Sequence, residues 1–271
     1  MSGGHRIVLT LAGALYAAPF VVLLLVSLQP EGTGLGAPLR DVLGDPHVEN
    51  WSAAVERMGD FPRLVANTVL ITVLSIAGQL FTCSLAGFAF ARLRFRGRDA
   101  LFACVLATMM LPDQVTAIPR FLLFRWLGLV DTFAPLVLPT VLGGAPFFIF
   151  LFRQTYLSLP QELDEAARIV GCSPLRAYWS IFLPLSKPML VTVGLFTFLA
   201  TWNDFWSPLI YLLSPENRTL TLALAGFQRT YDTAVEHLMA ASGLVLAPCL
   251  LLYFLTQRLF LRGVRVAASK G

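Results

Sequence analysis

Polar side chains stand inside stretches of the chain that are otherwise apolar enough to cross a bilayer. Asp113 and Gln114 follow Pro112 in one such stretch, Asn203 and Asp204 lie between Trp202 and Trp206 in another, and Gln79 sits near the middle of a third. An acid at the centre of a spanning helix costs about 2.5–3.5 kcal/mol, so each needs water, a ligand or a partner group. Carboxylates and amides can hydrogen-bond hydroxyls, and a flat indole offers a surface for a ring. The set Gln79, Asp113, Gln114, Trp202, Asn203, Asp204 and Trp206 therefore suits a polyol on a substrate pathway. Trp202 and Trp206 are four apart and are predicted to share one helix face. The plainer alternative is that Asp113 and Gln114 tie helices together and Trp206 anchors the membrane interface.

Other chemistry lacks its residues. The three histidines, at 5, 47 and 237, fall outside the apolar stretches, and no HExxH or GxSxG motif occurs. Cys83, Cys104, Cys172 and Cys249 are scattered without a CxxC, which argues against a disulfide framework or a zinc site. The only lysines, Lys187 and Lys270, do not stand in a G-x4-G-K-[ST] phosphate loop. The chain is thus expected to have no catalytic constellation, no metal and no cofactor of its own.

The elements that must position these residues follow from composition. Only 13% of the 271 residues are charged and 56% are hydrophobic, with a mean hydropathy of +0.71. Soluble domains carry about 25% charged residues, so the chain is read as a membrane protein. The net charge of +4 resides in short loops and forms no stripe, which sets nucleic acid aside. Spanning helices need about 20 apolar residues, and six windows qualify: 7–28, 65–91, 100–119, 132–152, 189–213 and 238–257. The first exceeds the core of a signal peptide and is read as a retained helix. The prolines at 112 and 119 predict a kinked or interrupted third helix lining a cavity. With the N-terminus inside, thirteen of the twenty Lys and Arg lie in inner loops and tails, including Arg92, Arg94, Arg96 and Arg98. The expectation is an all-α, polytopic membrane protein with six transmembrane helices, one transmembrane domain over 1–271, and both termini cytoplasmic.

Loop 156–188 is polar and helical by pattern. Ser158 and Gln161 match an S-x-x-Q capping box, with Pro160 in the first turn. Leu163, Ala166, Ala167 and Val170 predict one apolar face, and Asp164 and Arg168 an exposed i,i+4 pair. Gly171 suits the position after a helix end, and Ser173 with Pro174 starts a second helix on which Leu175, Tyr178, Trp179 and Phe182 repeat the apolar spacing. The acids Glu162, Asp164 and Glu165 gain nothing at an anionic membrane surface, so a protein partner is favoured over the headgroups.

Glu165, Ala166 and Ala167, then Gly171, then Ile181, Leu183 and Pro184 meet every fixed position of E-A-A-x3-G-x9-I-x-L-P. This resembles the EAA loop of permease subunits of type I ABC importers. Asn67-Thr68, MLPDQVTAIP (110–119), TWNDFWSPLI (201–210), NRTLTLAL (217–224) and GVRVAASKG (263–271) resemble the carbohydrate-uptake branch, in particular the second permease subunit of maltose-type systems. The tail departs from the family's G-A-V-K-G ending, with Ala267, Ala268 and Ser269 before Lys270 and Gly271. The resemblance implies half of a heterodimeric sugar-import pore in a bacterial-type inner membrane. Its partners would be a second permease subunit, two cytoplasmic ATPase subunits holding ATP and magnesium, and an extracytoplasmic binding protein delivering sugar to loops 29–64 and 214–237. The EAA loop would dock on the ATPase, with Ala166, Ala167 and Gly171 small enough for close helix approach. The rival reading is a self-sufficient secondary transporter or channel for a small polar solute, which leaves the EAA loop without a role.

Overall fold

The computed structural model describes residues 3–33, 42, 44–227 and 234–268, without the side chains of His5 and of residues after 257. Arg40, Arg229, Lys270, the end of the tail and parts of the two outer loops named above lie outside the described residues. The described residues are helical, with no strand among them. The helices are α1 (Gly3–Ser27), α2 (Glu49–Met58), α3 (Phe61–Arg92), α4 (Arg98–Ala107), α5 (Asp113–Trp126), α6 (Ala134–Val141), α7 (Pro146–Leu157), α8 (Glu162–Ile169), α9 (Pro174–Ala177), α10 (Leu183–Leu185), α11 (Lys187–Trp202), α12 (Trp206–Tyr211), α13 (Leu220–Phe227) and α14 (Val235–Ala268). Four stretches, Arg6–Ser27, Phe61–Arg92, Ala134–Leu157 and Val235–Gln257, are long and apolar enough to cross a membrane, and two bent pairs raise the number to six.

The bends sit where proline chemistry puts them. Arg98–Met110 and Asp113–Trp126 meet at 100°. Leu111 is extended (φ −86°, ψ 115°), because the ring of Pro112 disfavours a helical residue before it. Pro112 then leads into α5 with Pro119 inside it. Pro174–Leu185 and Lys187–Trp202 meet at 78° around Ser186. Between α6 and α7 the chain breaks at Gly143, whose φ of +84° favours glycine, and restarts at Pro146.

The chain forms two compact units. The first holds α1, α2, the start of α3, α13 and α14 to Arg258. There Asn50 donates to the carbonyls of Ser27 (3.0 Å) and Gln29 (2.8 Å), closing the end of α1. Ala240 and Ala241 are fully buried, and Gly243 is small where Trp51 and Leu23 approach.

The second unit holds residues 66–219, with the end of α14 from Leu259. Its core gathers Cys83 and Phe88 from α3, Phe152 and Tyr156 from α7, Val193 from α11, and Tyr178 and Phe182 from a π-helical turn between α9 and α10. Phe88 lies 5.9 Å from Tyr156, 5.3 Å from Tyr178 and 5.2 Å from Phe182, centroid to centroid. α3 meets α6 and α7 at glycine: Gly78 faces Val141 and Gly87 faces Phe152. Thr82 donates to the Val141 carbonyl at the same crossing. Small residues allow such approach in membranes, where packing rather than water exclusion holds helices together.

A latch orders residues 211–219. Asp131 takes φ +63°, and its carboxylate accepts from the amides of Leu213 and Ser214 (both 2.9 Å), the Ser214 hydroxyl and the Asn217 amide (3.2 Å). Asn67 donates to the carbonyls of Glu216 (2.8 Å) and Arg218 (3.0 Å). The Ser214 hydroxyl first, then its amide, hold the Asp131 carboxyl down to about 2. A depressed carboxyl contributes above the ordinary carboxylate range near 4, and that contribution is lost as pH falls toward 2. The latch should therefore be constant from pH 5 to 8. Asp131→Ala should speed trypsin cleavage at the exposed Arg218 several-fold at neutral pH, and cleavage at the parental rate would show that the latch does not hold this segment.

Candidate functional site

In the second unit α3, α5, α6, α7, α11 and α12 surround an open cavity of about 1100 Å³. Of the seven pathway candidates, Gln79, Asp113 and Asp204 line it; Gln114, Trp202, Asn203 and Trp206 are not among its lining residues. Gln79 is buried on α3, with its amide 3.9 Å from the Cys83 sulfur. Asp204 accepts from the Ser207 amide at 3.1 Å and so starts α12. Asn203 donates to the Leu199 carbonyl at 2.8 Å and ends α11.

That helix break corrects the shared face expected for the two tryptophans. α11 stops at Trp202 and α12 starts at Trp206, so the i,i+4 relation no longer applies. Trp202 is buried, stacked on Phe198 at 5.3 Å, while Trp206 is exposed. Asp113 lines the cavity from its open side. Its side chain is 89% exposed at the start of α5, where Arg120 reaches it at 3.4 Å. The pairing needs one helix to carry both residues seven apart, two turns along one face.

Arg120 lines the cavity too, together with Thr82, Thr108, Thr140, Thr197 and Thr201. Sequence reading passed over these residues. A threonine in an apolar helix looks like a helix-internal hydroxyl bonded four residues back, as Thr197 is to Val193 (2.8 Å). Such a hydroxyl keeps acceptor capacity toward the cavity. The lining is thus mainly neutral hydroxyl and apolar surface, with Asp113, Arg120 and Asp204 as its charges.

Loop 156–188 folds as two helical segments about a tight corner. Gly171 takes φ +69°, its amide donates to Arg168 (2.9 Å), and the Cys172 amide donates to Ala167 (2.8 Å). This is the paired closure that a glycine after a helix end provides. Ser173 caps the next segment, accepting from the Arg176 amide at 3.3 Å. Three local expectations are corrected. Ser158 forms no capping box: its hydroxyl turns back to the Thr155 carbonyl (2.8 Å) as α7 ends, and α8 starts at Glu162 with no side-chain cap. Asp164 pairs with Arg92 at 2.6 Å rather than with the exposed Arg168. The apolar faces split: Leu163, Ala167, Tyr178 and Phe182 turn to the bundle, while Ile169 (87%), Val170 (80%), Leu175 (59%) and Trp179 (49%) are exposed. The EAA residues split likewise. Glu165, Ala166, Gly171 and Pro184 are exposed, whereas Ala167 is buried and Ile181 and Leu183 pack on the core.

The model of the family described as binding-protein-dependent transport system inner membrane component matches residues 83–266. The chain belongs to this family. The match takes in the whole loop and most of the cavity-lining residues. A putative ABC transporter permease protein ORF2 of Caldicellulosiruptor sp. (strain Rt8B.4) is 34% identical over 93% of this chain and 91% of that protein. The arabinooligosaccharides transport system permease protein AraQ of Bacillus subtilis (strain 168) is 31% identical over 98% and 96%. The trehalose/maltose transport system permease protein MalG of Thermococcus litoralis is 30% identical over 98% and 97%. The fold matches a chain in the crystal structure of a bacterial ABC transporter involved in the import of the acidic polysaccharide alginate. The TM-score is 0.78, with 22% identity and cover of 95% and 98%. This inner-membrane component is an all-α ABC importer permease subunit, a transport component like its relatives.

Proposed function

We propose that this permease subunit forms half of an ATP-driven pore for a neutral sugar, with loop 156–188 as its docking surface for the ATPase. The observation that carries the docking reading is the outward face of the loop: Glu165, Ala166 and Gly171 stand exposed beside Ile169 and Val170. Burying these apolar side chains on a partner would supply about 25 cal/mol per Å². The sugar reading is supported by the names of relatives that carry arabino-oligosaccharides and trehalose or maltose, and by a cavity rich in threonine hydroxyls. The partners are a second permease subunit, two ATPase subunits that hold ATP and magnesium, and an extracytoplasmic binding protein. Both termini and the loop lie on the cytoplasmic side, in keeping with the arginine imbalance.

The test is ATP-dependent uptake by the assembled complex in proteoliposomes, with radiolabelled maltose, trehalose and arabinotriose and with the binding protein present. Uptake without ATP, driven by an ion gradient, would overturn the reading. Asp204 is tested in the same assay. Asp204→Asn keeps an oxygen for the Ser207 amide and should lower uptake per complex only a few-fold, since charged acceptors are about twice as strong as neutral ones. Asp204→Leu should abolish uptake per complex. Loss of complex with unchanged uptake per complex would leave Asp204 a helix cap.

Topology is checked in intact cells. A cysteine at the exposed Ser52 should react with an impermeant maleimide, and one at Gly97 should not, in a background lacking the native cysteines. The opposite pattern would invert the orientation.

A further inference from the structure

Arg92 is the last residue of α3, and its side chain is only 6% exposed. Nη1 donates to Asp164 on α8 at 2.6 Å. Nη2 donates to the carbonyl of Tyr156 at the end of α7 and to that of Leu159 at 2.6 Å. The guanidinium also lies 5.1 Å over the ring of Phe182 in the π-helical turn. One planar cation thus holds three segments of loop 156–188, a geometry that a guanidinium fork makes and an ammonium does not.

Two further residues on the same face of α3 also reach the loop or the end of α7. Phe88, one turn earlier, touches Tyr156, Tyr178 and Phe182. Ser84, two turns earlier, shares a hydrogen bond with the Tyr178 hydroxyl at 2.7 Å. Ser84, Phe88 and Arg92 follow i, i+4, i+8 spacing and form one stripe. Gln79, Thr82, Ala86 and Phe90, which line the cavity, fall on the opposite side of the same helix by its 3.6-residue period. α3 runs unbroken from Phe61 to Arg92.

We propose that Arg92 is a positioning residue that ties the docking loop to the cavity wall, so that movement of α8 turns α3 and reshapes the cavity. The inference rests on the docking role proposed above for the loop. Without the clamp, α8 could move with the ATPase while α3 stays behind.

The test uses the full complex, with a cysteine at Ala86 in a background lacking the native four. The probe is a permeant maleimide, applied before and after trapping with ATP, magnesium and vanadate. With Arg92 in place, trapping should change the labelling rate at least about fivefold, the lower end of ordinary allosteric coupling. Arg92→Gln should reduce the change to less than about twofold, with complex yield and basal ATP hydrolysis retained. Arg92→Lys should lie between. A parental response in Arg92→Gln overturns the inference while leaving the docking reading intact. If Arg92→Gln fails to assemble, Asp164→Asn decides, because it leaves the carbonyl contacts of Arg92 in place. A parental response there, or failure of both variants to assemble, overturns the inference in favour of a structural lock. No response with Arg92 in place overturns the inference, and pull-down of the ATPase from the same preparation shows separately whether the docking reading stands.

Discussion

Gly87→Leu is expected to leave almost no assembled chain in the membrane. A Cβ at Gly87 would stand 2.5 Å from the Cβ of Phe152 and 2.9 Å from the amide nitrogen of Arg153. Neither neighbour is the end of a flexible side chain, so the backbones of α3 and α7 must separate. Overpacking by a methylene or so costs about 1–3 kcal/mol, and leucine adds four carbons. The expected loss is a large part of the roughly 5–15 kcal/mol that holds a folded protein. It would also spread the crossing next to Phe152 and Tyr156, both fully buried. Gly87→Ala should be milder, because it gains about 1 kcal/mol of helix propensity against the same contact. Gly13→Leu is the control, since a Cβ there meets nothing within 4 Å. Chain level in the membrane and recovery of monodisperse complex are the measurements. Parental levels of Gly87→Leu would mean that α3 and α7 do not pack at this distance.

Gly171→Leu should have the opposite signature, a folded chain that no longer transports. A Cβ at Gly171 meets nothing within 4 Å, so the protein's own packing does not resist it. The cost within the chain is the left-handed backbone, about 1–2 kcal/mol for an L residue. Beyond that, the new side chain projects from a corner between Val170 and Ser173, both exposed. On the docking role proposed for this loop, the added bulk should cost ATPase binding, and uptake should drop more than about tenfold, as for a hot-spot loss of 2 kcal/mol or more. Gly171→Asn separates the two causes, because asparagine tolerates the left-handed conformation. If strain alone matters, Asn should behave like glycine; if bulk matters, Asn should be impaired too. ATPase recovered by pull-down and normal uptake with Gly171→Leu would remove the docking assignment.

What could be read in the sequence were features set by a residue and its immediate neighbours. The deficit of charge places the chain in a membrane, since spans that meet lipid tolerate few ions. Pro112 breaks the third span because its ring acts on Leu111 alone. Gly171 and Ser173 close and open helices through bonds reaching only three to five residues, as their amide partners show. The EAA pattern was legible for the same reason: it is a fixed spacing within one short loop. The tertiary structure decided matters in which distant partners compete. Asp164 had Arg168 at i+4, but an exposed pair of that kind is worth only about 0.3–0.5 kcal/mol. Arg92, buried at the end of α3, needs an acid far more, and it takes Asp164 from 72 residues away. Trp202 and Trp206 lost their common face because Asn203 and Asp204 spend their side chains on ending one helix and starting the next. Gly78 and Gly87 stand within one apolar window, and only the packing of α6 and α7 against them gives them a role. In each case local spacing lists the bonds a residue could make, and burial chooses among them, because an unmet polar group or a steric overlap inside the bundle costs more than the local bond it displaces.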